Sequence, residues 1–374
     1  MSISPDHLFS PFQQRSLTLP NRIVVSPMCE YSSVDGHAND WHLVHLGSRA
    51  IGGAGTVITE AAAVSPEARI TPADLGIYSD DHVPFLTRIT DFLKLHGSVP
   101  GIQLAHAGRK ASMSAPWVTP SHTLPPSEGG WTNVVAPSAL RFRDEYPLPN
   151  VLDRAGMDKV VADFTAATKR AAQAGFLLVE IHAAHGYLIH EFLSPLSNTR
   201  TDEYGGSLSN RAKFPLEIIR AVRAAFPAHL PVWVRVSATD WVDGGLTPDE
   251  IVEFARLIKA EGIDLLDVSS GGNDPRQQIP LGPGYQVAFA DRIHRETGLA
   301  TGAVGMITDP AQADQIIRTG QASVVLLARE LLREPYWPLR AAAHLHQPGS
   351  WPVQYERAAQ GKVERRQPLN VPNS

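Results

Sequence analysis

Short apolar runs recur along this chain, at residues 23–25, 56–59, 101–104, 177–181, 232–236, 265–268, 299–303 and 324–327. None shows the in-out alternation of a strand with one wet face. Continuous apolar runs of this length mark strands buried on both sides, the condition of a parallel sheet covered by helices. Between them the hydrophobic spacing becomes helical, most clearly over 157–174, 248–260, 285–296 and 310–318. Two of these helices carry start signals. Thr247-Pro248-Asp249-Glu250 offers an N-cap threonine, a proline in the first turn and a glutamate placed to close a capping box, and Asp309-Pro310-Ala311-Gln312 repeats the arrangement. Eight strand–helix units close most naturally into a (β/α)8 TIM barrel, an α/β fold in one domain over residues 1–345. An open doubly wound sheet is the alternative, but the GxGxxG fingerprint after its first strand is missing.

Residues 111–153 break the rhythm. They follow the third strand, are rich in Pro, Ser, Gly and Trp, and are too long for an ordinary loop, so they are either a cap over the barrel mouth or an ornament. Residues 346–374 form a tail whose polar end is expected to be disordered. A length of 374 residues suits one large barrel, and 43% hydrophobic with 19% charged residues is a globular composition without an apolar run long enough to span a membrane. No secretory leader is read at the start, so the cytoplasm is expected. A net charge of -5 without basic blocks argues against nucleic acid and for a small-molecule partner. The single cysteine, Cys29, excludes an internal disulfide, a cysteine-rich zinc site and an iron–sulfur cluster held by four thiolates.

Chemistry in a barrel gathers at the carboxyl ends of the strands. Cys29 and Tyr31 lie just past the first, where the thiol is either a small buried hydrophobe or a group facing a ligand. Gln103 is an amide in an apolar strand, and its donor and acceptor need either neighbouring backbone or a planar heterocycle with imide edges. Arg235 lies inside the fifth strand and must meet either a core carboxylate such as Glu180 or a ligand's negative charge. The loops at 302–306 and 327–329, glycines with a nearby arginine, match the usual phosphate position of barrels.

The densest chemistry is the run 177–211, where His182, His185 and Tyr187 fall within six residues after the fourth strand. Two histidines three apart suggest a metal pair, yet no HExxH pattern or evident third ligand accompanies them. Structural histidines satisfied by backbone are a further option. The reading that uses all three side chains is an oxygen clamp: a turn at Gly186 brings both imidazole N–H groups to one oxygen while Tyr187 supplies a proton nearby.

Across nearly the whole chain the sequence resembles the old yellow enzyme family of FMN-dependent ene-reductases. The resemblance is carried by LFSP at 8–11, LPNRI at 19–23, HAAHGYLIHEFLSPLSNTRTDEYGGSLSNR at 182–211 and RELLR at 329–333. SPMCEY around Cys29, HAGRKA around Lys110 and ATGAVGM at 300–306 are similar to its thermophilic-like subclass, in which a cysteine replaces a threonine. The resemblance implies an FMN-binding barrel in which Gln103 and Arg235 meet the pyrimidine side of the flavin and Ser26, Pro27, Met28 and Ala61 flank the ring. The loops around Val304, Gly305, Ala328 and Arg329 would then hold the phosphate. It implies that Cys29 adjusts the flavin, that Cys29, Tyr31 and Lys110 line the substrate pocket, that His182 and His185 bind the substrate oxygen, and that Tyr187 protonates the α-carbon. NADPH or NADH would donate the hydride in a ping-pong reaction on an α,β-unsaturated carbonyl or nitro compound. A homodimer or homotetramer is expected, with Arg357 a candidate to reach a neighbouring subunit's site. The rival readings are a metal-dependent barrel hydrolase or lyase using His182 and His185, and a non-catalytic flavin-binding protein.

Overall fold

The computed structural model describes residues 6–365, 367–369 and 371. All eight expected strands are present: β1 (Ile23–Val25), β2 (Thr56–Ala63), β3 (Val99–Ala105), β4 (Leu178–Ala183), β5 (Val232–Ser237), β6 (Leu265–Ser269), β7 (Ala300–Ala303) and β8 (Val324–Leu327). They follow one another in order around a closed barrel, and every neighbouring pair is parallel. Helices α1 (Asp40–Ile51), α2 (Val83–Leu95), α3 (Arg154–Gln173), α4 (Lys213–Ala225), α5 (Pro248–Ala260), α6 (Val287–Thr297), α7 (Pro310–Arg318) and α8 (Trp337–His344) each follow one strand. The unbroken apolar runs are explained by this arrangement, since β2 to β6 are buried at every position.

The start signals operate as their chemistry requires. Thr247 Oγ1 accepts the Glu250 N–H, and the Glu250 carboxylate returns to the Thr247 N–H at 3.1 Å, a capping box that contributes about 1 kcal/mol. Asp309 caps α7 by accepting from Ala311 N at 2.8 Å and Gln312 N at 3.1 Å. Two helix starts differ from the sequence pattern. α3 begins at Arg154 rather than 157, because the Asp153 carboxylate accepts the Gly156 N–H at 2.8 Å and starts the helix a turn earlier. α6 begins at Val287 rather than 285, since Tyr285 N closes a turn onto Gly282 O.

The amino-terminal end of the barrel is shut by an antiparallel hairpin, Phe12–Gln14 with Leu17–Leu19. Leu17, Leu19 and Trp233 are fully buried there, and the Trp233 indole N–H donates to Gln14 Oε1. Within 111–153 regular pairing is sparse: a short parallel pair of Val135–Ala136 with Asn150–Val151 and an isolated antiparallel bridge between Met113 and Thr123. The tail folds back on the barrel: Gly349–Trp351 pairs with Val363–Arg365, and Leu369 N donates to Lys94 O at 2.8 Å. Residues 366, 370 and 372–374, part of the tail end expected to be disordered, lie outside the described residues. No helix among the described residues is long and apolar enough to cross a membrane.

Candidate active site

β4 runs two residues further than its apolar stretch, so His182 belongs to the strand and the chain turns at 184–187. His185 adopts a left-handed φ of 59° and Gly186 follows at 71°. A Cβ at position 186 would lie 2.4 Å from Gly272 O, so only glycine closes this turn. The consequence is one cluster. The His182 and His185 rings stand 5.2 Å apart at 85°, and the His182 and Tyr187 rings 4.9 Å apart at 75°. His182 Nδ1 accepts the Ala184 N–H at 3.3 Å, which places the proton of the neutral ring on Nε2. His185 differs, because its Nε2 lies 2.7 Å from Ser269 Oγ.

Burial, and then the charge of Arg235, hold both imidazoles well below their ordinary range, so both are neutral at pH 7. Burial, and then Cys29, raise the Tyr187 phenol well above its ordinary value, so it keeps its proton. This is a set of neutral N–H and O–H donors around one spot. Such donors stabilise an oxygen that gains negative charge and then release a proton to a strong base.

The remainder of the 177–211 motif braces the turn. His190 Nδ1 accepts the Gly186 N–H at 2.9 Å, and its Nε2 lies 3.0 Å from Asp240 Oδ1. Asp240 Oδ2 in turn accepts from Ser194 Oγ at 2.5 Å and Leu246 N at 2.8 Å. His190, Ser194 and Asp240 are all 0% exposed. Asn198 Nδ2 donates to Phe192 O and Tyr204 O, and Arg211 reaches Leu193 O, Gly206 O and Glu250. These side chains fold the long β4–α4 connection onto itself, a purpose that spacing alone did not disclose.

The other early strand ends converge on the same region. Ser26 is buried, with Pro27, Met28, Cys29 and Tyr31 half-buried behind it. Burial, and then Asp74, raise the Cys29 thiol well above its ordinary range, so it is a neutral thiol. The register between β2 and β3 shifts between Ile58 and Ala61, a bulge that sets Ala61 opposite Gln103. Lys110 Nζ donates to His185 O at 2.8 Å and to Gly272 O, so this ammonium ties two mouth loops together, and burial pushes it down to about 7. Arg235 donates through Nη1 to Ser26 Oγ at 3.0 Å, and its Nε lies 3.1 Å from Asp267 Oδ2. Its carboxylate partner is therefore Asp267 and not Glu180, because the parallel register sets Arg235 directly against Asp267. Glu180 accepts instead from Gln103 Nε2 at 2.7 Å.

The late strand ends enclose a cavity of about 440 Å3 that includes Val304, Gly305, Ala328 and Arg329. Gly305 has a φ of 123°, and a Cβ there would lie 2.8 Å from Gln286 Nε2. Ser269 and Gln286 belong to this wall but were not singled out by sequence reasoning. Gln286 is held by Ser270 Oγ at 2.6 Å and by its own donation to Val304 O at 2.9 Å. Ser269, at the end of β6 and against His185, joins the two halves of the mouth; its place at a strand end was the available signal. A second cavity, about 520 Å3 under the tail, lies at the opposite end of the barrel and includes none of these residues. Among the described residues, no three His, Cys, Asp or Glu side chains are grouped to hold a metal ion.

A barrel with a glycine-lined cavity, an amide and an arginine in its lumen and a set of neutral proton donors has the layout of a flavin-dependent oxidoreductase. Residues 7–347 match the NADH:flavin oxidoreductase / NADH oxidase family. The chain is 48% identical over 352 residues to an NADPH dehydrogenase of Geobacillus thermodenitrificans, covering 94% of this chain and 98% of that protein. It is 47% identical over 352 residues to an NADPH dehydrogenase of Bacillus subtilis, with the same coverage. Morphinone reductase superposes with a TM-score of 0.78 at 26% identity, over 98% of this chain and 96% of that one. The chain belongs to this family, that of the old yellow enzymes, and is an NAD(P)H oxidoreductase that uses FMN.

Proposed function

We propose that the protein is an ene-reductase of the thermophilic-like kind, acting on α,β-unsaturated carbonyl or nitro compounds. The observation that carries this reading is the cluster of His182, His185 and Tyr187, two neutral imidazoles beside a phenol that retains its proton. FMN fits the residues around it. Gln103 has one amide hydrogen bound to Glu180, and its Oε1 and second hydrogen have no partner among the described residues. Arg235 stands beside it, and the Gly305 backbone leaves room where a side chain would intrude. Gln103 and Arg235 would hold the pyrimidine edge, Ser26, Pro27, Met28 and Ala61 would flank the ring, and Val304, Gly305, Ala328 and Arg329 would hold the phosphate.

When bound, FMN would supply the hydride-transfer chemistry that links NADPH or NADH to the β-carbon of the activated alkene. The chain's own residues do the rest. His182 Nε2–H and the His185 ring polarise the carbonyl or nitro oxygen, drawing charge away from the double bond. Tyr187 gives its O–H proton to the α-carbon. Cys29, Tyr31 and Lys110 shape the pocket, Lys110 through the loop carbonyls it binds.

The same reading makes residues 1–345 the catalytic barrel and 111–153 its cap, supported by Trp117, edge-on to Tyr31 at 5.7 Å, and by Phe142, 4.0 Å from Lys110 Nζ. The tail, with Arg357 exposed on the 3-10 turn Val353–Ala358, would lie at a subunit interface of a homodimer or homotetramer, and the cytoplasm would be its compartment. A fully active monomer on size exclusion would remove the interface. The main test is anaerobic: NADPH or NADH bleaches the yellow protein, and an added enone restores the colour while its double bond is reduced. Restoration by oxygen but by no enone, imide or nitroalkene would overturn the proposal.

A further inference from the structure

Two carboxyl groups lie in the barrel lumen with one guanidinium between them. Glu180 on β4 and Asp267 on β6 are both 0% exposed, and they flank the strand that carries Arg235. Asp267 Oδ2 is 3.1 Å from Arg235 Nε. Among the described residues Glu180 has one hydrogen-bond partner, Gln103 Nε2 at 2.7 Å from Oε1; its Oε2 and both Asp267 oxygens are buried without one. Two anions and one cation in a dry interior would leave a net negative charge with no water to solvate it, a state that buried groups avoid by taking up a proton. Of the two, Asp267 is the one set against the guanidinium, while Glu180 is in no ion pair among the described residues, so the proton belongs on Glu180.

We propose that Glu180 is a neutral carboxylic acid in the working enzyme, a positioning residue that orients the Gln103 amide, while Asp267 alone neutralises Arg235. The proposal rests on the FMN reading above. The groups facing Glu180 are Gln103 from β3, Arg235 from β5 and Asp267 from β6, with neutral His182 two residues along its own strand. Burial, and then Asp267, raise Glu180. Burial also raises Asp267, but Asp267 lies 3.1 Å from Arg235 Nε and is the carboxyl placed to carry the charge. The lumen charge is then zero: Arg235 carries +1, Asp267 −1 and Glu180 none. With its Nε2 turned down onto Glu180, Gln103 keeps its Oε1 and second hydrogen for the imide edge of the flavin. The compensated Arg235 is kept from favouring the negatively charged reduced ring too strongly.

The test uses the holoenzyme and reads FMN affinity and midpoint potential. Asp267→Asn should shift the reduced/oxidised equilibrium at least tenfold toward reduced flavin, about 30 mV for a two-electron couple. Glu180→Gln, which mimics the neutral acid, should shift it less than twofold and hold FMN as the parent does, whereas Glu180→Leu should weaken FMN at least tenfold. A Glu180→Gln potential that moves as far as that of Asp267→Asn would show an ionised Glu180 and overturn the proposal. So would full FMN affinity in Glu180→Leu. If Asp267→Asn does not fold, infrared spectra of the parent protein at pH 7 decide: a protonated-carboxyl C=O band missing from Glu180→Gln supports the proposal, and no such difference overturns it. That band is readable without flavin, so failure to retain FMN would count against the FMN reading and leave the Glu180 assignment to be judged separately.

Discussion

On one side of the barrel mouth, the ends of β1 to β4 present groups that hold protons: Cys29, Tyr31, His182, His185 and Tyr187. On the other side, the ends of β6 to β8 present glycine backbone, the amide of Gln286 and Arg329 around a cavity of about 440 Å3. The early side is made neutral by burial, which lowers its imidazoles and raises its thiol and phenols. The late side works by shape, through a backbone conformation at Gly305 that side chains rarely adopt. On the proposed function, phosphate binding and bond-making would then depend on different physical properties, and the two should be separable by mutation.

The largest effect is expected from replacing His182 and His185 together with alanine. Each removes a donor to the charged oxygen, worth about 10²–10³-fold in rate, so steady-state enone reduction should fall by ~10³-fold or more while the flavin spectrum and stoichiometry persist. Loss of flavin in that variant would erase the division between the two sides. Tyr187→Phe should slow oxidation of the reduced enzyme by an enone about 10²-fold, within the usual range for a general acid, and leave its reduction by NADPH unchanged in stopped flow. Equal slowing of both would take the proton-donor role from Tyr187. Gly305→Ala should act in the opposite sense, weakening FMN by roughly ten- to a hundredfold from about 1–3 kcal/mol of backbone strain, with kcat per bound flavin preserved.

The smallest effect concerns pH. His182 and His185 titrate well below 6.5 and Tyr187 well above 10.0, so none of the three should bend the rate profile between those values. Lys110 and Asp74, each near 7 through burial, do titrate in that window. An inflection in that window that vanishes in Lys110→Met belongs to the loop tie; one that survives points to the buried carboxyls, Asp74 near 7 and Glu180 and Glu191 near 8.

The strands were legible because a barrel strand buried on both faces must be apolar throughout. α5 and α7 were legible because Thr247 and Asp309 declare their starts. α1 was not singled out, and its cap explains why: Asn39 is paired with His42 where a glutamate or glutamine is usual. At the site, residues near one another in sequence were readable, as with His182, His185 and Tyr187. Partners set by register between distant segments were not. Arg235 was given Glu180 as a candidate partner, but the β5–β6 register supplies Asp267. Gln286 lies outside every strand end and owes its place to the turn before α6, which no local pattern signals.

The hairpin under the barrel has a consequence for traffic. With Leu17, Leu19 and Trp233 buried at the floor, the described residues close the lumen from below, and on the proposed function both substrates would reach the site through the mouth at His182, Tyr187 and Ser269. A nicotinamide and an alkene that need the same berth must queue, so each in excess should obstruct the other. Crowding either one should slow turnover, and the remedy should be more of its competitor.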